Sequence, residues 1–121
     1  MTMVGLNSCM NAQDNAKFTN TDVAGFAKLI TNPDEQILYV RTPAEFAEGH
    51  ISGAVNIDIY DDNFMTDALK TLDISRPVAV YCRSGKRSAD AASRLAAKGY
   101  QVTNLEGGIL AWNDQKQPTV K

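Results

Sequence analysis

Cysteine and histidine are scarce in this chain. Its 121 residues contain two cysteines, Cys9 and Cys82, and a single histidine, His50. With no C-x-x-C pair, that inventory is too thin for a structural zinc site. A disulfide framework is not expected either, because a chain of this length can build one hydrophobic core without it. Basic charge is also lacking: 12 Lys and Arg against 14 Asp and Glu give a formal net charge of −2, whereas a general nucleic-acid binder shows a basic surplus. What remains, 44% hydrophobic and 21% charged residues, is the composition of one soluble globular domain.

Against that background one segment stands out. Val78-Ala79-Val80-Tyr81-Cys82 is a short apolar strand ending in a cysteine, and Arg83-Ser84-Gly85-Lys86-Arg87-Ser88 is a glycine-containing turn that opens a helix. The cations Arg83, Lys86 and Arg87, the loop N–H groups and the N-terminal dipole of the helix all favour thiolate over thiol at Cys82. A free cysteine titrates near ~8.5, and comparable surroundings lower this to roughly 3.5–7.5. Such a thiolate is a nucleophile at neutral pH without a separate base. Burial statistics alone make a strand-closing cysteine a core hydrophobe. Cations packed against a core residue would be costly to desolvate, however, so Cys82 reads as reactive. Because the chain as a whole is slightly acidic, the local cations point to a small anionic substrate and not to a polyanion.

Around this segment the pattern alternates short strands and helices. Thr19 or Asn20 is placed to cap a helix in which Val23, Phe26, Ala27 and Ile30 recur at i, i+3, i+4 and i+7, and Asn32-Pro33-Asp34 breaks it. Ile37 to Val40 is a continuous apolar run, as in a parallel strand covered on both faces. Thr42-Pro43-Ala44-Glu45 then reads as a capping box with proline at the first helical position, opening a brief helix that ends at Gly49. Ala54 to Ile57 is a further strand and Phe64 to Leu72 a helix, with Asp61-Asp62 at its start. The helix after the Cys82 loop runs from about Lys86 to Lys98 with Ser88, Ala92, Leu95 and Ala96 on one face and Gly99 as its stop. Val102 to Leu105 is the last strand, and Gly107-Gly108 turns the chain into a closing helix around Ile109 to Asn113. The alternation implies an α/β domain with a mostly parallel sheet. Reactive groups then belong at the carboxyl ends of the strands, where Cys82 falls.

Residues 1–17 show no clear periodicity and are expected to lie outside the fold, leaving a domain from residue 18 to 121. Leu6-Asn7-Ser8-Cys9 resembles a bacterial lipoprotein cleavage box, in which Cys9 would carry the lipid and Asn11 to Lys17 would be a tether. The charged n-region and full apolar h-region of a secretory signal are missing, so the alternative is an ordinary disordered leader. Location follows that fork: the cytoplasm for a leader, the cell envelope as a periplasmic lipoprotein for a lipidated Cys9.

Several separate segments match one family. Val40-Arg41-Thr42-Pro43-Ala44-Glu45-Phe46, Gly49-His50-Ile51-Ser52-Gly53-Ala54-Val55-Asn56-Ile57, the Cys82 loop, and Leu105-Glu106-Gly107-Gly108-Ile109 with Trp112 together resemble a single-domain rhodanese from Phe18 to Gln117. The resemblance implies a five-stranded, mostly parallel sheet with helices on both faces. It also implies a thiosulfate sulfurtransferase that needs no cofactor or metal and is expected to be a monomer. Cys82 would take the sulfane sulfur of thiosulfate or a similar donor as a persulfide, and cyanide or a thiol, including a protein thiol, would collect it. The substrate-binding part would be the loop Arg83, Ser84, Gly85, Lys86, Arg87 and Ser88, whose amides curl around the persulfide in that family. The family reads Asp-Val-Arg where this chain has Tyr39-Val40-Arg41, and the fold is expected to tolerate Tyr39→Asp, the alternative being a tyrosine packed into volume that an aspartate would leave empty and polar. Arg41 is expected to pair with Glu45, His50 to be structural, and Trp112 to serve packing or a pocket rim.

Two rival readings stay open. A cysteine phosphatase or arsenate reductase uses a similar cradle but needs Cys-x5-Arg around a tetrahedral oxyanion, whereas Cys82 to Arg87 is one residue shorter. A rhodanese-like sulfur-carrier or interaction module is the other, since a fold does not fix a function.

Overall fold

The computed structural model describes residues 17–121. Cys9 and the lipoprotein reading attached to it lie outside the described residues. Ten elements alternate along the chain: β1 (Thr19–Thr21), α1 (Val23–Leu29), β2 (Gln36–Tyr39), α2 (Pro43–Glu48), β3 (Val55–Asn56), α3 (Phe64–Thr71), β4 (Val78–Tyr81), α4 (Lys86–Ala97), β5 (Val102–Leu105) and α5 (Gly108–Asp114). The strands form one sheet in the order β1-β5-β4-β2-β3, and every pairing is parallel. No helix among the described residues is long and apolar enough to cross a membrane.

The strands place alternate residues on opposite faces, and the core divides accordingly. Leu38, Val40, Val78, Val80 and Cys82 pack on the side covered by Phe64 and Ala68 of α3 and by Ala91, Ala92 and Leu95 of α4. Tyr39, Ala79, Tyr81 and Leu105 pack on the other side against Val23 and Phe26 of α1 and Ile109 and Trp112 of α5. All four residues of β4 are buried, as its uninterrupted apolar run requires of a central strand covered on both faces. The α/β fold with helices on both faces of a five-stranded parallel sheet is therefore the one expected.

Local details differ at three places. Thr19 and Asn20 belong to β1 and do not cap α1; Asp22 does, accepting from the Gly25 N–H at 2.9 Å. The first helical position is thus Val23, and the three polar residues before Asp22, Thr19 to Thr21, form an edge strand against β5. At α3 the N-cap is Asn63, with no side-chain cap bond. Asp61 acts one step earlier, accepting from the Asn63 N–H at 2.8 Å, and Asp62 takes no part in that bond.

The third difference is Tyr39. It is buried, its ring stacks on Tyr81 at 4.4 Å and 6°, and Phe46 lies 6.3 Å away. An aspartate there would lose the stack and bury a carboxylate in an aromatic cluster, which is costly unless the charge is paired. The packing therefore runs against tolerance of Tyr39→Asp.

Candidate active site

Cys82 sits one residue beyond β4, fully buried, where the chain leaves the sheet for α4. Gly85 is the N-cap of α4 in the left-handed region, φ 96°. A Cβ at Gly85 would lie 3.1 Å from the Gly107 nitrogen and from the Leu105 carbonyl oxygen, so glycine suits both the backbone angle and the space. Having no side chain, Gly85 offers the start of α4 no side-chain cap, and the cysteine sulfur accepts the third-position amide in its place. The Gly85 N–H donates to Cys82 Sγ at 3.1 Å and the Ser88 N–H at 3.3 Å.

Those donors set the acidity of the thiol. Burial is the largest single influence and pushes the Cys82 pKa up. The Ser88 hydroxyl, the Ser88 and Gly85 N–H groups and the Ser84 N–H act against it, and together they hold the thiol below its ordinary value. The Ser88 hydroxyl is buried and has no hydrogen-bond partner by strict geometry, yet it is the foremost of the groups favouring the thiolate. The two N–H groups are the donors that reach the sulfur in this structure, and the hydroxyl would need a small turn of the Ser88 side chain to join them.

The cations behave differently from expectation. Arg83, Lys86 and Arg87 are all exposed, and none is among the main influences on Cys82. The Arg87 guanidinium lies over the Tyr60 ring, 4.9 Å from its centroid, and its Nε bonds the Tyr60 hydroxyl. Exposed cations act through high-dielectric solvent, whereas buried amides touch the sulfur directly, so the amides dominate. Arg83 and Lys86 remain at the loop surface.

The loop is held by groups remote in sequence. Ile109 and Leu110, in the first turn of α5, donate their N–H groups to the carbonyls of Cys82 and Arg83 at 2.8 and 3.1 Å. This approach is possible because Gly108 precedes them: a Cβ there would lie 2.4 Å from the Arg83 oxygen. The buried Asn104 on β5 donates from Nδ2 to the Gly85 carbonyl at 3.2 Å. Asn104, Gly108 and Tyr60 are not legible as site residues in the sequence. The doubled glycine is the one available signal of close backbone approach.

Other expected residues fall into structural places. Arg41 pairs with Glu45, with Nε to Oε1 at 2.8 Å. Glu45 also completes the α2 capping box with Thr42. His50 stacks on Phe46 at 3.6 Å and its Nδ1 bonds the Phe46 carbonyl at 2.8 Å. Trp112 packs edge-on against Phe26 and donates Nε1–H to the Pro118 carbonyl at 2.9 Å. Among the described residues no group of three or more His, Cys, Asp or Glu is placed to hold a metal ion. What the loop can do is stabilise a sulfur anion with converging amides, under a surface where Arg83 and Lys86 make no ion pair among the described residues.

Comparison with known proteins agrees with this geometry. Residues 22–115 match the model of the Rhodanese-like domain family. A sulfurtransferase of Allochromatium vinosum is 36% identical over 94 residues, covering 77% of this chain and 85% of that protein. The thiosulfate sulfurtransferase GlpE of Stutzerimonas stutzeri is 33% identical over 87 residues, 71% of this chain and 77% of that one. The crystal structure of a rhodanese-related protein from Thermoplasma volcanium superposes with a TM-score of 0.75 at 30% identity, over 85% of this chain and 98% of that one. Sheet order, buried strand-end cysteine and relatives converge: the chain belongs to the rhodanese-like domain family and stands among sulfurtransferases.

Proposed function

We propose that this protein is a sulfurtransferase in which Cys82 carries a sulfane sulfur as a persulfide between thiosulfate, or a similar anionic donor, and cyanide or a thiol. The observation that carries the reading is the pair of amides from Gly85 and Ser88 on Cys82 Sγ. In the first step the Cys82 thiolate attacks the sulfane sulfur of thiosulfate. A new S–S bond forms, the donor's S–S bond breaks, and sulfite leaves with that electron pair. In the second step cyanide or a thiolate takes the outer sulfur and Cys82 leaves as thiolate. The charge stays on sulfur throughout, where pre-oriented N–H dipoles stabilise it without reorganising. Because Cys82 has no exposed surface, the loop must shift for the sulfur to meet its donor, and exposed Arg83 and Lys86 are the groups that draw a dianion there.

The test is turnover of thiosulfate with cyanide by wild type, Cys82→Ser and Cys9→Ser, alongside native mass spectrometry after incubation with thiosulfate alone. Wild type and Cys9→Ser should turn over and gain one sulfur that cyanide removes, and Cys82→Ser should do neither, since a hydroxyl forms no persulfide. Undiminished turnover in Cys82→Ser refutes the reading. Protection of Cys82 by phosphate or arsenate with no sulfur adduct would favour the phosphatase-like alternative.

A further inference from the structure

A recess of about 200 Å³ opens beside the Cys82 loop, and Tyr39, Arg41, Glu48, Arg83, Asn113 and Thr119 are among its walls. Ile109 and Leu110 also line it, and these two residues are bonded to the Cys82 and Arg83 carbonyls, which ties the recess to the reactive loop. Its charges are of both signs and are not all used. Glu45 is taken up by Arg41 and Thr42. Arg41 Nη1 is buried and has no hydrogen-bond partner among the described residues. Glu48 and Arg83 are exposed, and among the described residues neither makes an ion pair. Arg41, Glu48 and Arg83 thus stand around one recess with Tyr39 in its wall.

A lone anion such as thiosulfate has no use for the free carboxylate of Glu48 in that ring. A molecule with a cation and an anion on neighbouring atoms satisfies both signs. The recess is smaller than the roughly 300–1,000 Å³ of sites for drug-sized ligands, so its occupant is small. We propose that this recess is the acceptor subsite and that it selects a thiol with an α-amino-acid head, its carboxylate held by Arg83 and its ammonium by Glu48. The thiol enters as thiolate and attacks the outer sulfur of the Cys82 persulfide. The new bond joins acceptor sulfur to sulfane sulfur, the old bond to Sγ breaks, and Cys82 regains its electron pair as thiolate. No outside oxidant or reductant is needed. This inference rests on the persulfide reading above and adds the class of acceptor.

The experiment loads the enzyme with thiosulfate and compares L-cysteine, 3-mercaptopropionate and cysteamine as acceptors, with cyanide as reference and each rate divided by the thiolate fraction at the working pH. L-Cysteine should exceed both analogues, each of which lacks one of its two charges. In Glu48→Gln the ratio of L-cysteine to 3-mercaptopropionate should fall by about fivefold, the worth of one partly exposed ion pair. In Arg83→Gln the ratio of L-cysteine to cysteamine should fall similarly. If the persulfide forms and cyanide discharges it but L-cysteine shows no advantage, the acceptor subsite is refuted and the sulfurtransferase reading stands. If the advantage exists but survives both substitutions, the recess is not its source and the proposal also falls. If no persulfide forms, the sulfurtransferase reading itself fails.

Discussion

Two strands of the same sheet end in a loop that opens a helix, and the two loops use their helix N-termini in opposite ways. After β2, the Thr42 hydroxyl accepts from the N–H of Glu45 at 3.2 Å and Glu45 reaches back to the Thr42 N–H. After β4, the equivalent third-position amide is that of Ser88, and its acceptor is Cys82 Sγ at 3.3 Å. A helix leaves its first N–H groups without partners and some acceptor must meet them. At α2 the helix supplies its own acceptor, and the start is closed. At α4 the N-cap is glycine, so the Cys82 sulfur, six residues upstream of Ser88, serves as the cap and is ionised more easily for it. The same fold element is thus a structural stop in one place and a thiolate trap in the other.

Damage at the β2 end should therefore appear in stability, and damage at the β4 end in the chemistry of the thiol. The largest effect is expected for Tyr39→Asp, which removes the Tyr81 stack and buries a carboxylate. The loss should reach about 3–5 kcal/mol, the range for deleting a buried aromatic side chain, read as a lower midpoint in urea. A melting temperature equal to that of wild type would show that the site accommodates a carboxylate after all.

Gly108→Ala comes next. Its Cβ meets the Arg83 backbone, and the residue holds a φ of 57°, so about 1–3 kcal/mol of strain or displacement is expected. Unlike a core lesion, it should also shift the Cys82 titration upward, because it pushes α5 away from the loop. A stability loss with an unmoved titration would mean that α5 does not hold the amides in place. Thr42→Ala should cost about 1 kcal/mol, as for loss of an N-cap, and leave the thiol titration where it was; a moved titration would break the contrast between the two helix starts.

The smallest effect is a pH dependence of stability. A thiol whose folded pKa is depressed binds its proton less tightly in the folded state, so it stabilises the fold above the unfolded thiol's pKa of about 8.5 and loses that contribution as pH falls through the lower folded value. The difference in unfolding free energy between wild type and Cys82→Ala should therefore grow in favour of wild type as pH rises across that window. A difference that is flat or shrinks with rising pH would contradict a depressed thiol.

Most of the frame was legible because it is written locally. The apolar run of β4 and the Thr42-Pro43-Ala44-Glu45 box each carry their own signal. β1 was not legible, since Thr19-Asn20-Thr21 has no apolar alternation and becomes a strand only by pairing with β5. The loop sequence singles out Cys82 as a candidate, but it shows the cations and not the amides and hydroxyl that lower its pKa. Cations are conspicuous in a sequence, whereas amides that converge on a sulfur are visible only after the chain has folded. Asn104 lies 19 residues from the Gly85 carbonyl that it holds, a distance over which sequence pattern says nothing of contact.

The central claim is that amides and the Ser88 hydroxyl, not the exposed cations, lower the pKa of Cys82. Ultraviolet absorbance of the thiolate against pH, taken as the difference from Cys82→Ser, measures this without requiring access to the buried sulfur. Wild type should titrate below the free-thiol value of about 8.5. Ser88→Ala should raise the midpoint by about one to two pH units, the worth of one hydrogen bond to a charged group, and Arg83→Ala with Lys86→Ala should move it less. A wild-type midpoint near 8.5, or a larger shift from removing the two cations than from removing the hydroxyl, would contradict the account.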